Sequence, residues 1–363
     1  MPSYVIDEKD FTTSRILAQV PSIVYIPCVS TAAIKRKLFT SSFDLIEDEK
    51  ISGDVNIKND IGYKLAIKLL NLGMQVILEG FESSTKPNAT TQKELSEKGT
   101  YDIKYLIAGS FADDDEVANT LIGVATARQD CIALIDHKKA SNSLEAVKKD
   151  VAARGVGDDL SYVSYCTPWI KLSGIETECP ASFGFLLAIA RALQSNPSWF
   201  AAAGAFRGSI PGLLDVAYSY SESEVEELQN STSHSAINPI CEIRPYGTIV
   251  WGNRTGLIKP ELKATSFLNV RSLVCELKKV LYTVSRKYTF EQNSDILWFN
   301  FKSDLTPILD KMQTGDGILG YTIERIKTNE KGKLKARIII VPIEAVENFE
   351  LIVNISDSIK VEE

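Results

Sequence analysis

The apolar positions of this chain follow two alternating rhythms. SIVYIPCVS (22–30) is a nearly unbroken apolar, β-branched run bounded by Pro21, and it predicts a buried strand. Asp60 then caps a predicted helix that carries Ile61, Leu65, Leu69 and Leu72 on one face and stops at Gly73. MQVILEGF (74–81) reads as the next strand, and the polar stretch 83–99 as a surface loop or small insertion. The alternation continues with a strand at IKYLIAG (103–109), a helix from Asp113 to Arg128 and a strand at CIALID (131–136). A helix over SLEAVKKDVAAR follows, capped by Asn142 or Ser143 and closed by Gly155, then a strand at SYVSYC (161–166). Strands alternating with helices of this length predict right-handed βαβ units and a mostly parallel sheet covered on both faces.

The second half has another rhythm. Residues 180–250 are rich in small residues and loop signals, as in AAAGAFRGSIPG (201–212). After Ser266, Phe267, Val270, Val274, Leu277, Leu281 and Val284 form one helical stripe, with Lys278, Lys279, Arg286 and Lys287 on a basic opposite face. A second helix is expected from about Asp295, kinked or split by Pro307. Alternation at Leu319–Ile326, 335–341 and 349–356 predicts strands. The expected fold class is therefore α/β plus α+β. An arm at 1–15 precedes a mostly parallel α/β domain at 16–245; a smaller α+β domain at 246–347 and a strand-like arm at 348–363 follow.

Composition narrows the function. Of 363 residues, 44% are hydrophobic and 24% charged, which is ordinary for a globular protein. The formal charge of −7 argues against a nucleic-acid surface. No apolar run approaches the roughly 20 residues that span a bilayer. The polar, acidic MPSYVIDEKDF start has no secretory pattern, so synthesis in the cytoplasm is expected. The six cysteines form no CxxC pair and are expected to be reduced, buried hydrophobes.

An α/β domain invites a search for catalytic parts. GxSxG, GxxxxGK[ST], HExxH and a strand-linked GxGxxG are all absent. Asp136-His137 closes a predicted strand, where open α/β sheets place their ligands, and is the best catalytic candidate. Adjacent residues point apart, however, so a polar strand end is the favoured reading. His234 lies in a turn-like stretch and reads as a solvated loop residue. Asp113–Glu116 suits a solvated first helical turn better than a Mg²⁺ or Ca²⁺ site. No metal, cofactor or catalytic residue is expected, and an enzyme is the alternative only.

At 161–183 and 240–300 the sequence resembles the contractile tail sheath protein family. SYVSYCTPWIKL, with Trp169, is similar to the family's strand leading to an aromatic-Pro-Trp stretch, and CPASFGF (179–185) replaces the usual Pro-Pro-Ser-Gly core. WFAAAGAFRGSIPGLL (199–214), with Gly204 and Gly208, resembles its Trp-x-Ala-Pro-Ala-Gly-x-x-x-Gly-x-Ile segment, with Ala in place of Pro. The sharpest match is INPICEIRPYGTIVWGNRT (237–255), holding Gly247, Trp251, Gly252, Arg254 and Thr255, with Trp251 expected in a core. FLNVRSLVCELKKVL, with Asn269 and Arg271, is similar to the family's Asn-Val-Arg-Arg helix, Ser272 standing at the second Arg position. FEQNSDILWFNF (290–301), with Trp298, and GDGILGYTIE follow in the family's order.

The resemblance implies a structural subunit and not an enzyme. Copies would stack as hexameric rings around an inner tail tube, with baseplate and tail terminator proteins as further partners and no nucleic acid or membrane. It implies residence in a virion tail or extracellular contractile particle, and near-minimal size for the family, the 83–99 stretch standing as an insertion stump. It also implies terminal arms that add strands to neighbouring subunits, here Tyr4 and Ile6 at one end and Phe349, Leu351, Val353 and Ile355 at the other. Lys278, Lys279, Arg286 and Lys287 are candidates for gripping the tube, set against a merely solvated helix face. The rivals are an α/β hydrolase or nucleotide-binding enzyme using Asp136 and His137, and a baseplate or terminator component.

Overall fold

The computed structural model describes residues 22–99, 101–141, 143–154, 159–230, 234–257, 263–327 and 332–346. Strand β1 (Ile23–Ser30) is buried almost throughout, and β2 (Ile34–Phe39) exposes Lys35 and Lys37. Three short helices follow, α1 (Ser42–Ile46), α2 (Glu49–Ser52) and α3 (Val55–Asn59). Ser41, Asp48 and Asp54 start them by accepting first-turn N–H groups. The expected Asp60 cap opens α4 (Ile61–Asn71), its Oδ1 accepting from Gly62 N at 2.6 Å, and Gly73 leaves the helix at φ +86°.

After β3 (Gln75–Glu82), the stretch expected to be a loop carries α5 (Ala89–Ser96), capped by Asn88. Only Thr91 and Leu95 are buried there, too few apolar positions to reveal a helical period. Then come β4 (Ile103–Ile107), α6 (Asp115–Arg128), β5 (Ile132–Asp136), α7 (Leu144–Ala153) and β6 (Val163–Thr167), within a few residues of expectation. Ser143 caps α7; Gly155, its expected stop, lies outside the described residues.

The 180–250 stretch is more ordered than its small residues suggest. β7 (Ile170–Leu172) precedes α8 (Ala181–Leu193), which is buried over nearly its whole circumference and so has no polar stripe to betray it. Next are α9 (Gly204–Arg207), β8 (Leu213–Val216), α10 (Glu222–Asn230), β9 (Ile237–Ile243) and β10 (Gly247–Val250).

The main sheet has the order β10-β9-β6-β5-β4-β1-β3-β2. Its six inner strands are parallel, while β10 and β2 run antiparallel at the edges. β7 and β8 form a small separate pair. Because β10 pairs with β9, the expected domain boundary at 245/246 falls inside a hairpin, and the sheet domain runs on through Val250.

The chain then enters α11 (Leu268–Lys287) and α12 (Asp295–Thr314), which continues through Pro307 instead of splitting there. A two-stranded ribbon, β11 (Ile318–Ile326) and β12 (Lys335–Pro342), completes the expected helix–helix–strand order. Two apolar cores result: a large one around the sheet, and a smaller one joining α11, α12 and the ribbon through Leu277, Phe301, Leu305 and Ile338. Helix α11 contributes to both. The arms at 1–15 and 348–363 lie outside the described residues.

Candidate functional site at the junction of sheet and C-terminal module

The motif 237–255 builds the joint between the two cores. Asn238, on β9, is fully buried, and its amide donates to Ser164 Oγ (3.0 Å), Tyr165 O (3.2 Å) and Arg254 O (2.8 Å). Its carbonyl accepts from Arg254 N at 2.7 Å. Gly252 lies against it, where an added Cβ would meet Asn238 atoms at 2.6–2.7 Å. Asn253 O and Oδ1 accept from Leu268 N (2.8 Å) and Asn269 N (3.1 Å), capping α11 from a distant segment because Phe267 cannot. The Asn253 amide donates to Asn269 Oδ1 at 2.8 Å, and the Asn269 amide to Trp199 O at 3.2 Å. Thr255 N donates to Ser266 O at 2.9 Å, and the Arg254 guanidinium lies over Phe267. Trp251 is only half-buried, contrary to expectation; Ile249 and Val250 before it supply the core contact.

The other motif residues are supports. Gly208 lets the chain pass beside β10, since a Cβ there would sit 2.5 Å from Val250 O; Gly204 and Gly247 turn at φ +75° and +81°. The buried Trp169 donates to His137 O at 3.0 Å, and Trp298 stacks on Phe301.

A second set of contacts was not foreseen from sequence. Lys104, inside buried β4, donates to Glu276 of α11 at 3.0 Å, and Ser198 donates to the same carboxylate. Arg271 lies over the Tyr162 ring and donates to Ser161 Oγ. Arg128 is fully buried, paired with Asp130 at 2.8 Å and donating to the carbonyls of Leu95, Glu97 and Tyr101. A lysine within an apolar strand is a readable signal, because a buried charge requires a partner.

The basic face expected on α11 does not exist as one surface. Lys279 is buried, its ammonium donating to Asp102 O and Ile103 O, and burial pushes its pKa down to about 8. A buried ammonium cannot reach a partner, so Lys279 drops out as a tube contact. Lys278 is half-buried and donates to Gln129 O and Tyr162 OH; Arg286 and Lys287 are exposed, Lys287 pairing with Asp304 at 2.7 Å. Tyr4, Ile6, Phe349, Leu351, Val353 and Ile355 lie outside the described residues.

Asp136 and His137 are each engaged through one side-chain atom, while among the described residues Asp136 Oδ2 and His137 Nε2 are buried without a hydrogen-bond partner. Asp136 Oδ1 accepts from Ser182 N at 2.7 Å, capping α8, whose own cap position is Pro180. Burial pushes its carboxyl up to about 7 against the opposing hydrogen bonds from Ser182. Burial pushes the His137 imidazole down to about 4; its Nδ1 is 2.7 Å from Lys138 O. His234 is buried, not solvated. Asp114, within the acidic run, is the N-cap of α6, accepting from Glu116 N and Val117 N, and Asp115 and Glu116 lie in its first turn. Beyond the end of β1, Asp60 Oδ2 accepts from Val29 N (2.8 Å) and Ser110 Oγ (2.6 Å). Among the described residues no group of three or more His, Cys, Asp or Glu could hold a metal ion, all six cysteines are free and buried, and no helix is long and apolar enough to cross a membrane.

Comparison with known proteins bears on the whole architecture. No family model matches the chain. A tail sheath protein of Vibrio phage KVP40 is 26% identical over 141 residues, which is 39% of this chain and 20% of that protein. The sheath of an extracellular contractile injection system, PVC, solved in its contracted state, matches 99% of this chain and 98% of its own, at TM-score 0.71 and 15% identity. A sheath tail protein from Desulfitobacterium hafniense matches over 94% of this chain and 100% of its own, at TM-score 0.59 and 10% identity. The sequence resemblance and the architecture thus point the same way, and the chain has the fold of contractile sheath proteins.

Proposed function

We propose that this chain is the structural subunit of a contractile sheath. Copies polymerise as stacked hexameric rings around an inner tube and shorten together to drive that tube through a target envelope. The observation that carries this reading is the alignment of 99% of the chain with a PVC sheath subunit in the contracted state. Both the sheet and the C-terminal module are included in that alignment, so neither is left to suggest another architecture. The polar junction around Asn238 and Asn253 then serves to hold two parts of one mechanical unit.

The joints between subunits are added strands. Residues 1–15 and 348–363 are the arms, and in FELIVNIS the residues Phe349, Leu351, Val353 and Ile355 alternate onto one face. Each backbone hydrogen bond nets only about 1 kcal/mol, but several per arm make a mesh that survives large motion. Lys278, Arg286 and Lys287 are the candidates for a releasable tube contact, exposed pairs being worth about 0–1 kcal/mol each. Baseplate and terminator proteins close the two ends, in a virion tail or an extracellular particle made in a bacterial cytoplasm.

The test is to express the chain and view it by negative-stain electron microscopy, alone and with its tube protein. Tubes or stacked rings, lost on deleting 348–363, are expected. A monomer at high concentration that also ignores the tube protein overturns the proposal.

A further inference from the structure

We infer that Glu276 is a positioning residue, setting the one seat in which the C-terminal module rests on the sheet. Helix α11 has two working faces. Toward α12 and the ribbon it offers Leu273, Leu277 and Val284, an apolar face in the smaller core. Toward the sheet its contacts are largely directional. Ser272 Oγ is 3.4 Å from Tyr105 OH, Glu276 pairs with Lys104, and Lys279 donates to Asp102 O and Ile103 O. All three meet the first residues of β4.

Apolar contact is non-directional and lets a helix rotate or slide at little cost. A buried ion pair does not, because any other seat strands both charges. Lys104 is 1% exposed and Glu276 8%, so neither can turn to water without α11 lifting off. Glu276 also accepts from Ser198, on the connection between α8 and α9, and so ties two segments of the sheet domain to one point of the helix. Glu276 is the sole acidic residue of α11, whose other charges at this seam, Arg271, Lys278 and Lys279, are cationic, and Asp130 beside them is held by Arg128. A shift of α11 therefore brings Lys104 no substitute anion from the helix face beside it. This role belongs to the subunit and does not depend on the sheath reading.

The test separates seating from stability. Nitroxides are placed at Lys93→Cys on α5 and Ser303→Cys on α12, both exposed, while the six native cysteines are buried. Spin–spin distances and thermal unfolding are then measured on the full chain. Glu276→Leu is expected to lower the unfolding midpoint by roughly 5 °C or more and at least to double the width of the distance distribution. The Lys104→Met/Glu276→Leu double variant is expected to recover the midpoint while keeping the broad distribution. A double variant as narrow as wild type overturns the inference. If Glu276→Leu does not fold, Glu276→Gln replaces it: a broadened distribution supports the role, and wild-type width overturns it.

Discussion

The eight-stranded sheet and the β11–β12 ribbon treat their edges in opposite ways. At one end of the sheet, β10 is covered: Val250 N donates to Gly208 O at 2.8 Å, and Ser209 bridges Ile249. At the other end, β2 carries exposed Lys35 and Lys37 and a register shift between Ile34 and Lys37, features that discourage a further strand. The ribbon is not covered in this way; it has a register shift between Ile318 and Gly320, and its exposed charges Glu324, Arg325, Lys335 and Arg337 gather at the other end. Among the described residues no third strand pairs with it, and Leu319, Ile339 and Val341 are exposed. Two strands are marginal by themselves, and this pair stays in place by packing Tyr321, Ile323, Ile338 and Ile340 onto the smaller core. Both edges of the sheet are blocked, whereas among the described residues both edges of the ribbon are unpaired. If copies of the chain are joined by added strands, as proposed, the ribbon's edges are where such a strand could pair.

That contrast can be broken or sharpened by substitution, and the largest effect on the isolated subunit is expected inside the sheet domain. Arg128→Ala strands Asp130 and the carbonyls of Leu95, Glu97 and Tyr101 in a buried site. The expected cost is about 3–5 kcal/mol, read from urea unfolding. A loss below about 1 kcal/mol would mean that the 95–101 connection relaxes and the sheet domain is less closed than it looks.

A smaller effect, with a sign that depends on pH, is expected at Asp136 and His137. The carboxyl is raised to about 7, so its contribution is fully present below the ordinary carboxylate pKa and is lost as pH rises through about 7. The imidazole is lowered to about 4, so its contribution is present above the ordinary imidazole pKa and is lost as pH falls through about 4. Between these limits the two slopes oppose each other. Asp136→Asn should unmask the histidine slope and add on the order of 1–3 kcal/mol near pH 8. Stability that still declines between about pH 6 and 8 in that variant would assign the decline to another group.

How much of this could be read from sequence follows the same division between periodic and directional features. Most of the βα alternation from Ile23 to Thr167 is legible because apolar period and caps agree, with Asp60 and Ser143 capping where expected, whereas β2, α1 to α3 and α5 are too short or too polar to show a period. Helix α8 is not legible either, since a helix buried all round has no contrasting face. Asp136 is legible as a polar strand end, but its capping of α8 at Ser182, across 46 positions, is not. The α11 cations were misread as one face. Periodicity counts only the residue's angle on the helix, and Lys279 shows that the sheet domain covers part of that angle. Trp251 failed for a related reason: β10 alternates Ile249 and Val250 into contact, and the chain leaves the sheet at the tryptophan.

Charge reversal at the exposed end of α11 is expected to matter less to the fold. Arg286→Glu with Lys287→Glu removes the surface pair between Lys287 and Asp304, worth about 0–1 kcal/mol. The informative readout is co-sedimentation with the proposed tube protein across a salt series. Weakened binding that wild type also shows at high salt would support an electrostatic grip, and unchanged binding would remove these two residues from it.

The smallest effect on the subunit is expected at the ribbon's outer face, and there the comparison is sharpest. Ile339 is 46% exposed, so Ile339→Lys gives up little burial and should change stability by no more than about 0.5 kcal/mol. The same face, if it is covered by strands or subunits in the assembled particle, would have to bury an unpaired ammonium, which costs several kcal/mol at every subunit. A variant that unfolds like wild type but forms no tubes would therefore locate the joint on the ribbon by a difference that the isolated chain does not feel. Tubes of normal length from Ile339→Lys would instead leave this face outside the assembly contacts.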